Sequence, residues 1–333
     1  MCIRDSNTTT APIKVLDAKK VILTLADNTT NTITDSSRLS TEEDYSAVIY
    51  SKEDLIINGN GTLNVNAGYR NGIKSTDDCI IVSGTLNITS TEDGIIGKDL
   101  CGIVAGDINI NAGSDGIKST YDTDTTKGNV IIEGGNITIK ASNDGIQAEN
   151  ILVINDGTIN IKTNNGAADT TQTHTDNMDM DRGGFGFNNN KTTTTTDDTV
   201  ESRKGIKAGN MLIINDGDIT IDSDDDSVHC NSEIYIYGGT INAATGDDGV
   251  HADDLLTVNG GTINITQCYE GIEADDIVIN DGDISVVSSD DGINSSDGSI
   301  TINGGNLLIN ASGDGLDANG SIIINGGYIV VLG

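Results

Sequence analysis

Apolar and polar residues alternate strictly in short segments along the chain. The segment 136–140 reads Asn-Ile-Thr-Ile-Lys, so its isoleucines point one way and its polar side chains the other. This period of two predicts a half-buried β-strand. A second apolar run precedes each such segment, as in 212–217, and a third short strand follows an Asp-Gly-Ile corner. Three short strands per unit predict a triangular coil whose apolar faces meet inside.

These units repeat at a nearly constant period of about 22 residues. The second residue of the corner motif falls at positions 72, 94, 116, 145, 205, 227, 249, 271, 292 and 315. An independent series of glycines keeps the same spacing, at 61, 84, 106, 135, 157, 217, 239, 261, 282, 305 and 327. One coil cannot bury itself, but coils stacked about 4.8 Å apart supply ladder partners to one another. The sequence therefore predicts an all-β, right-handed parallel β-helix of about 11 coils.

Three segments depart from the repeat. Residues 1–7 match nothing in it and are interpreted as a non-native or disordered leader. Residues 8–54 are strand-like without Asp-Gly corners and are predicted to cap the helix proper, residues 55–333, against edge-to-edge association. Residues about 164–202 interrupt one coil with a segment rich in Thr, Asn and Gly, and we expect this insertion to be disordered because it has few apolar residues.

The charge balance restricts the possible partners. The chain carries 51 acidic and 18 basic residues, a formal net charge of −33, and its last basic residue is Lys207. A surface this acidic argues against nucleic acid as a partner and favours cations. The chain also lacks an apolar run of 18 residues, so no transmembrane helix is expected. We expect a monomer.

Acidic residues stack at consecutive corners, and this stacking predicts calcium binding. Asp-Gly suits a tight turn, which explains one acid per corner but not doubled acids in successive coils. Carboxylates about 5 Å apart repel by roughly 1 kcal/mol even in water, and calcium removes that penalty. The alternative is a solvated acidic edge. The candidate ligands are Asp225, Asp226, Asp247, Asp248, Glu270, Glu273, Asp290, Asp291, Asn294, Asp314 and Asp317.

Within this column, the strongest single site is predicted at Asp290, Asp291 and Asn294, flanked by acids of the coils before and after. His229 and His251 share a column one coil apart, which could indicate a transition metal. The adjacent Cys230 is expected to pack inward and acids surround the two histidines, so they are interpreted as ordinary surface residues.

Outward positions of the strand after the second glycine form a flat field of amides and hydroxyls. This field is either a solvent face or a track for an extended polymer of hydroxyls. Its candidate contact residues are Asn136, Thr138, Thr158, Asn160, Thr240, Asn242, Thr262 and Asn264. Asparagines just before the glycines are predicted to point inward and form a structural amide ladder. They are Asn155, Asn215, Asn259, Asn280, Asn303 and Asn325.

The segments Lys19–Asp27 and Ala47–Leu55, the serial Asp-Gly-Ile corners and Arg182–Phe187 in the interrupted coil resemble a known family. It comprises bacterial extracellular carbohydrate-binding β-helix proteins, related in fold to pectate lyases. The resemblance covers residues about 12–333. It implies calcium bound between coils, binding of cellulose or pectic polysaccharide without cleavage, and an extracellular or cell-surface location.

Two other functions remain open. A calcium-dependent polysaccharide lyase needs a Lys or Arg base beside its calcium, and only Lys204 and Lys207 lie near an acidic corner. Binding is therefore favoured over cleavage. A structural surface protein or an ice-binding face is the third possibility, because Thr and Asn ladders on a flat helix also suit ordered water.

Overall fold

The computed structural model describes residues 4–7, 10–36, 46–170, 172 and 202–332. These residues form a parallel β-helix of about 12 turns, which confirms the predicted fold class. Every strand pairs in parallel with strands of the neighbouring coils, as in the register that joins Ile108, Ile137 and Ile159. The one short helical element of the described residues is the 3-10 turn Ala167–Asp169.

Three faces enclose the core. The long-strand face is a sheet of 13 strands, most of which follow the second glycine series: Arg4–Asn7, Thr30–Asp35, Thr62–Ala67, Thr85–Ser90, Asp107–Ala112, Asn136–Ala141, Thr158–Thr163, Asp218–Ser223, Thr240–Thr245, Thr262–Gln267, Asp283–Ser288, Asn306–Ala311 and Tyr328–Leu332.

The corner face holds the strands that follow the acidic corners and their N-terminal counterparts: Ile13–Val15, Ala47–Ser51, Asn71–Ser75, Ile95–Gly97, Ile117–Lys118, Ile146–Ala148, Ile206–Ala208, Val228–Cys230, Ile293–Ser295 and Leu316–Ala318. The return face leads to the next glycine: Val21–Leu25, Leu55–Gly59, Asp78–Ile81, Leu100–Ile103, Asn129–Ile132, Ile151–Ile154, Met211–Ile214, Glu233–Ile236, Ile300–Ile302 and Ile322–Ile324. Val250–Val258 and Ile272–Ile279 run through both faces and join them into one 22-stranded sheet.

The core is a stack of β-branched side chains. Ile137 and Ile139 are buried, while Asn136 and Lys140 on either side of them are exposed and Thr138 between them is half-buried. Ile137 lies directly between Ile108 and Ile159 of the neighbouring coils. Each fully buried side chain of this size contributes about 1.5–3 kcal/mol of hydrophobic stabilisation. The alternation of apolar and polar residues along each strand therefore determines which side chains stay outside the core.

The two glycine series are required for different reasons. A Cβ on Gly145 of the corner series would lie 2.4 Å from Cγ2 of Ile161 and 2.5 Å from the carbonyl oxygen of Gly205. The corner is thus too close to the next coil for any side chain. Gly157 of the second series has φ of 127°, a conformation that L side chains rarely adopt.

The N-terminal segments join the same stack. Arg4–Asn7, assigned to the leader from the sequence, pairs with Thr30–Asp35. Ile13–Val15 pairs with Ala47–Ser51, so the predicted cap consists of further coils.

The start of the predicted insertion packs on the helix. The Ala167 N–H donates to Oδ1 of Asp222 at 2.9 Å, and Nε2 of Gln267 donates to the Ala167 carbonyl at 2.9 Å. Residues 171 and 173–201 of that prediction lie outside the described residues. Within the described part of the chain, no helix has the length and apolarity to cross a membrane.

Candidate functional site

The corner carboxylates bond to the backbone of the next coil. Oδ1 of Asp93 accepts the Asp115 N–H at 3.1 Å, and Oδ1 of Asp115 accepts the Asp144 N–H at 3.0 Å. Further along, Asp226 accepts the Asp248 N–H at 3.0 Å in the same way. The acid was expected to serve its own turn, but the backbone group it satisfies belongs to the adjacent coil. Each corner therefore uses one carboxylate oxygen to hold two coils together, and its second oxygen is free for other partners.

A facing column of side chains meets those second oxygens. It consists of the outward residues on the corner face, three positions after each corner. In coil order it comprises Lys118, Gln147, Lys207, His229, His251, Glu273, Asn294 and Asp317.

In the lower corners, defined as residues 93–207, lysines supply the partners. Nζ of Lys118 lies 2.5 Å from Oδ2 of Asp115. Nζ of Lys207 lies 3.9 Å from Oδ2 of Asp144 and donates to Oγ of Ser202 at 3.2 Å. Asp115 and Asp144 thus have ammonium partners from the chain itself, while burial and the nearby Asp115 raise the pKa of Asp93.

Lys204 ends this lower region, because it occupies a corner position itself. Its Nζ donates to Oδ1 of Asp225 at 2.9 Å and to Oδ2 of Asp226 at 2.5 Å. Burial alone would lower the pKa of Lys204, but Asp226 and Asp225 outweigh it and raise that pKa. Burial would likewise raise the pKa of Asp226, yet Lys204 holds it below its usual range. Both groups are fully charged at neutral pH.

In the upper corners, defined as residues 225–317, histidines first replace the lysines. Nδ1 of His229 lies 2.8 Å from Oδ2 of Asp226, and His229 is only 8% exposed. Nδ1 of His251 lies 3.2 Å from Oδ2 of Asp248 and 3.4 Å from Oε2 of Glu273. The interpretation of these histidines as ordinary surface residues is wrong for His229, which is buried against a carboxylate.

Above the histidines, acids face acids. Burial and the nearby Asp248 raise the pKa of Glu273 to about 7. Burial, together with Glu273 and Asp291, raises the pKa of Glu270 to about 7, although Asn294 donates to its Oε2 at 2.8 Å. Burial and the neighbouring acids also raise the pKa of Asp248. The chain has no Lys or Arg beyond residue 207 to neutralise these groups.

The candidate calcium ligands converge at some corners and not at others. Four groups of three side chains in the described residues bring their ligand atoms within 4.8 Å of one another: Asp225–Asp226–Asp247, Asp226–His229–His251, Asp248–His251–Glu273 and Asp54–Asp77–Asp78. Asp290, Asp291, Asp314 and Asp317 belong to none of them. The sequence reasoning missed the last group, although Asp54 and Asp78 precede paired residues of adjacent return-face strands.

The predicted polymer-binding residues lie on the surface of the long-strand face, exposed or half-buried. Asn136 pairs in register with Thr158, and Thr138 pairs with Asn160. Thr240 with Thr262 and Asn242 with Asn264 repeat this arrangement further up. Grooves between the rows are lined by Asn and Thr side chains with Ile floors.

The amides of this face bond to one another between coils. Nδ2 of Asn109 donates to Oδ1 of Asn87 at 3.1 Å, and Nδ2 of Asn87 donates to Oδ1 of Asn64 at 2.9 Å. Nδ2 of Asn264 donates to Oδ1 of Asn242 at 3.4 Å. An amide has two N–H donors and two acceptor lone pairs, so each bonded asparagine keeps capacity for a further partner.

The asparagines before the glycines also form a ladder. Nδ2 of Asn303 donates to Oδ1 of Asn280 at 2.8 Å, and Nδ2 of Asn325 donates to Oδ1 of Asn303 at 2.8 Å. The expectation that they point inward is wrong, because these side chains lie on the outer edge of the stack. Their position at a strand end places them outside the alternation that defines the core.

Comparison with known proteins yields one family and two relatives. The family model described as carbohydrate-binding domain-containing protein matches residues 4–249 and 247–332. A carbohydrate-binding domain-containing protein of Acetivibrio thermocellus is 39% identical over 87 residues, which are 25% of this chain and 30% of that relative's length. A solved structure, the polysaccharide lyase-like protein from C. thermocellum in a gadolinium derivative, is 35% identical and covers 49% of this chain and 67% of its own, with a TM-score of 0.48.

Proposed function

This chain belongs to the carbohydrate-binding domain-containing family, and on that premise we propose that it binds a plant-type polysaccharide, cellulose or a pectic polymer, without cleaving it. The polymer lies across successive coils of the long-strand face. The upper corners hold calcium, and the protein acts outside the bacterial cell or on its surface. The observation that carries the proposal is the row of amides and hydroxyls repeated in register along that face.

The interlocked amides support polymer binding because they are already ordered. Asn242 and Asn264 hold one another through their side chains, so a sugar hydroxyl that bonds to them freezes little additional rotation. Preorganised groups of this kind lose less entropy on binding than free side chains do. An extended polymer of hydroxyls presents the same groups at each step and matches a surface that repeats with each coil.

The double variant Asn242→Ala/Asn264→Ala tests the face. Two lost hydrogen bonds of about 1 kcal/mol each should weaken polysaccharide binding about thirtyfold. The matched control is Thr257→Ala/Thr301→Ala, which alters two half-buried outward residues on the return face of the same region. Affinity electrophoresis in cellulose derivatives and in polygalacturonate measures both. Equal loss in the two variants, or none in the first, would reject this face as the binding surface.

The calcium part of the proposal is supported by the unneutralised upper corners. Asp247, Asp248, Glu270 and Asp291 lie in successive coils with no lysine or arginine above them. Asp225 and Asp226 already share the ammonium of Lys204, so calcium is proposed for the coils above it. Calcium that binds the folded stack alone raises its stability by mass action. Melting curves in calcium and in chelator should differ by several degrees, and identical curves would remove calcium from the proposal.

Binding without cleavage is supported by the state of the two candidate bases. A general base must be unprotonated, but Lys204 is buried between two carboxylates that raise its pKa. Lys207 lies beside Asp144 and Ser202. Polygalacturonate incubated with protein and calcium should therefore bind without the rise in ultraviolet absorbance that unsaturated product gives. Sustained product formation that Lys204→Ala or Lys207→Ala abolishes would establish a lyase instead.

A further inference from the structure

The two histidines of the upper corners lie where the facing column changes from basic to acidic. His229 follows Lys207 in this column, and Glu273 follows His251. The rings of His229 and His251 meet edge to face, with centroids 4.9 Å apart. Each imidazole therefore occupies the place that a lysine ammonium takes in the lower corners, but it brings a nitrogen lone pair as well.

The ligand atoms around His251 have the spacing of a metal site. Its Nδ1 is 3.2 Å from Oδ2 of Asp248 and 3.4 Å from Oε2 of Glu273. A tetrahedral site with metal–ligand bonds of about 2.0–2.2 Å has ligand atoms about 3.3–3.6 Å apart. Oδ2 of Asp226 lies 3.9 Å from the same nitrogen and approaches from the coil below. These three carboxylates enclose one imidazole nitrogen.

His229 adds an independent sign of a missing partner. Its Nδ1 is buried and, although 2.8 Å from Oδ2 of Asp226, makes no hydrogen bond of acceptable geometry. Its Nε2 lies 2.9 Å from Oδ1 of Asn231, and an amide oxygen can only accept, so Nε2 carries a proton. When the ring is neutral, Nδ1 then has a lone pair that the Asp226 carboxylate cannot satisfy and that a metal cation can.

The outer contact of His229 is that of a metal-bound histidine, and the outer nitrogen of His251 lies near a carboxylate without a hydrogen bond to it. A ligating histidine usually donates its other N–H to a carboxylate or a carbonyl, which fixes the ring and its tautomer. Nε2 of His229 meets the Asn231 amide oxygen, and Nε2 of His251 faces Oδ1 of Asp253 at 3.6 Å. Both Nδ1 atoms are thereby left for the interior of the cluster.

We propose that His251, Asp248 and Glu273, together with His229 from the coil below, bind a divalent transition-metal cation of the zinc class. Imidazole suits zinc, nickel and cobalt, whereas calcium prefers oxygen ligands alone. The site shares Asp248 with the corner acids proposed for calcium but differs from them in its imidazole ligands, and it does not depend on carbohydrate binding. The site lies just above Lys207, the last lysine or arginine of the chain.

Titration of the full-length, metal-stripped protein with Zn²⁺ tests the site. We expect one tight equivalent per chain that millimolar Ca²⁺ does not displace. His251→Gln should weaken this binding by more than the tenfold to about hundredfold that outer-shell partners contribute. His229→Gln should weaken it less, and Asn231→Ala less again. The matched control is His174→Gln, which removes the third histidine of the chain and should leave the affinity unchanged.

A second measurement needs no variant. Zn²⁺-loaded wild-type protein should show metal–nitrogen distances of about 2.0–2.1 Å by X-ray absorption. Co²⁺ should give the intense visible bands of a four-coordinate site. An all-oxygen shell, displacement by Ca²⁺, or an unchanged affinity in His251→Gln would overturn the proposal and leave an Asp–His ion-pair cluster. If the wild-type protein binds zinc as expected but does not bind polysaccharide, the proposed function is wrong and the metal site stands.

Discussion

The lower and upper corners share one backbone design and differ in how their carboxylates are neutralised. In both, a corner acid accepts an N–H from the next coil, as Asp115 does from Asp144 and Asp226 does from Asp248. In the lower corners lysine ammonium groups meet the second oxygen. In the upper corners histidine and then glutamate occupy the equivalent place.

The corner acids bond to the next coil in both regions, so this shared structural role does not explain why the side chains that face them are basic in one region and acidic in the other. The bond from a corner residue to the next coil needs an oxygen acceptor but no charge. The amide oxygen of Asn71, for example, accepts the Asp93 N–H at 3.1 Å. Of the lower-corner carboxylates, those of Asp115 and Asp144 have lysine partners, although burial still raises the pKa of Asp93 and of Asp144. Those of the upper corners keep protons or take up external cations, because stacked unpaired carboxylates are costly to bury.

The largest effect is expected where the two regions meet. Lys204→Met leaves Asp225 and Asp226 as buried carboxylates without their ammonium partner, and removal of one partner of a buried pair costs about 3–5 kcal/mol. Chemical denaturation at pH 7 in the presence of chelator measures the free energy of unfolding. Lys140→Met is the control, because Lys140 is exposed on the long-strand face. A loss in Lys204→Met no greater than in the control would show that the boundary lysine is dispensable.

A pH-dependent effect is expected at Glu273. Its pKa rises on folding from the ordinary 4.5 to about 7, so the folded state binds this proton more tightly than the unfolded state does. Stability therefore increases as the pH falls from about 7 towards 4.5 and is lost as the pH rises through 7. Glu273→Gln should raise the melting temperature at pH 8 and flatten the change between pH 8 and pH 5, measured in chelator.

The control for that pH series is Glu92→Gln, which alters a half-buried glutamate just before the lower corners that pairs with Arg70 at 3.6 Å. Its melting profile should follow that of the wild type. If Glu273→Gln also follows the wild type, the acids of the upper corners are not under electrostatic strain.

The smallest effect is expected at Asp115. Asp115→Asn keeps an oxygen for the Asp144 N–H and loses only the pair with Lys118, which is partly exposed and is expected to cost at most about 1 kcal/mol. Asp115→Ala loses the ladder bond too and leaves a buried N–H unsatisfied, at a further cost of about 1–3 kcal/mol. Denaturation of the two variants separates these contributions. Equal losses would mean that the charge, and not the ladder, is what the lower corners require.

Much of the candidate site follows from the sequence because the period places equivalent residues in columns. Acids one period apart, such as Asp226 and Asp248, had to stack, and the end of basic residues at Lys207 was already visible. The facing column was recognised only in part, at His229 and His251 and at the candidate ligands above them, because its residues vary from Lys118 through His251 to Glu273 and share no chemistry. The predicted best site at Asp290, Asp291 and Asn294 stays a prediction, since its two aspartates belong to none of the convergent groups of Asp, Glu and His.

The sequence by itself determined the β-helix, the place of each corner and the identity of the buried isoleucines. These features depend on period and alternation, which any 22-residue coil with two glycine corners must obey. Only the tertiary structure decided that a corner carboxylate bonds to the next coil, that Lys204 reaches two acids, and that His229 is buried with an unpartnered nitrogen. Such contacts depend on side-chain direction across coils, which spacing along the chain does not specify.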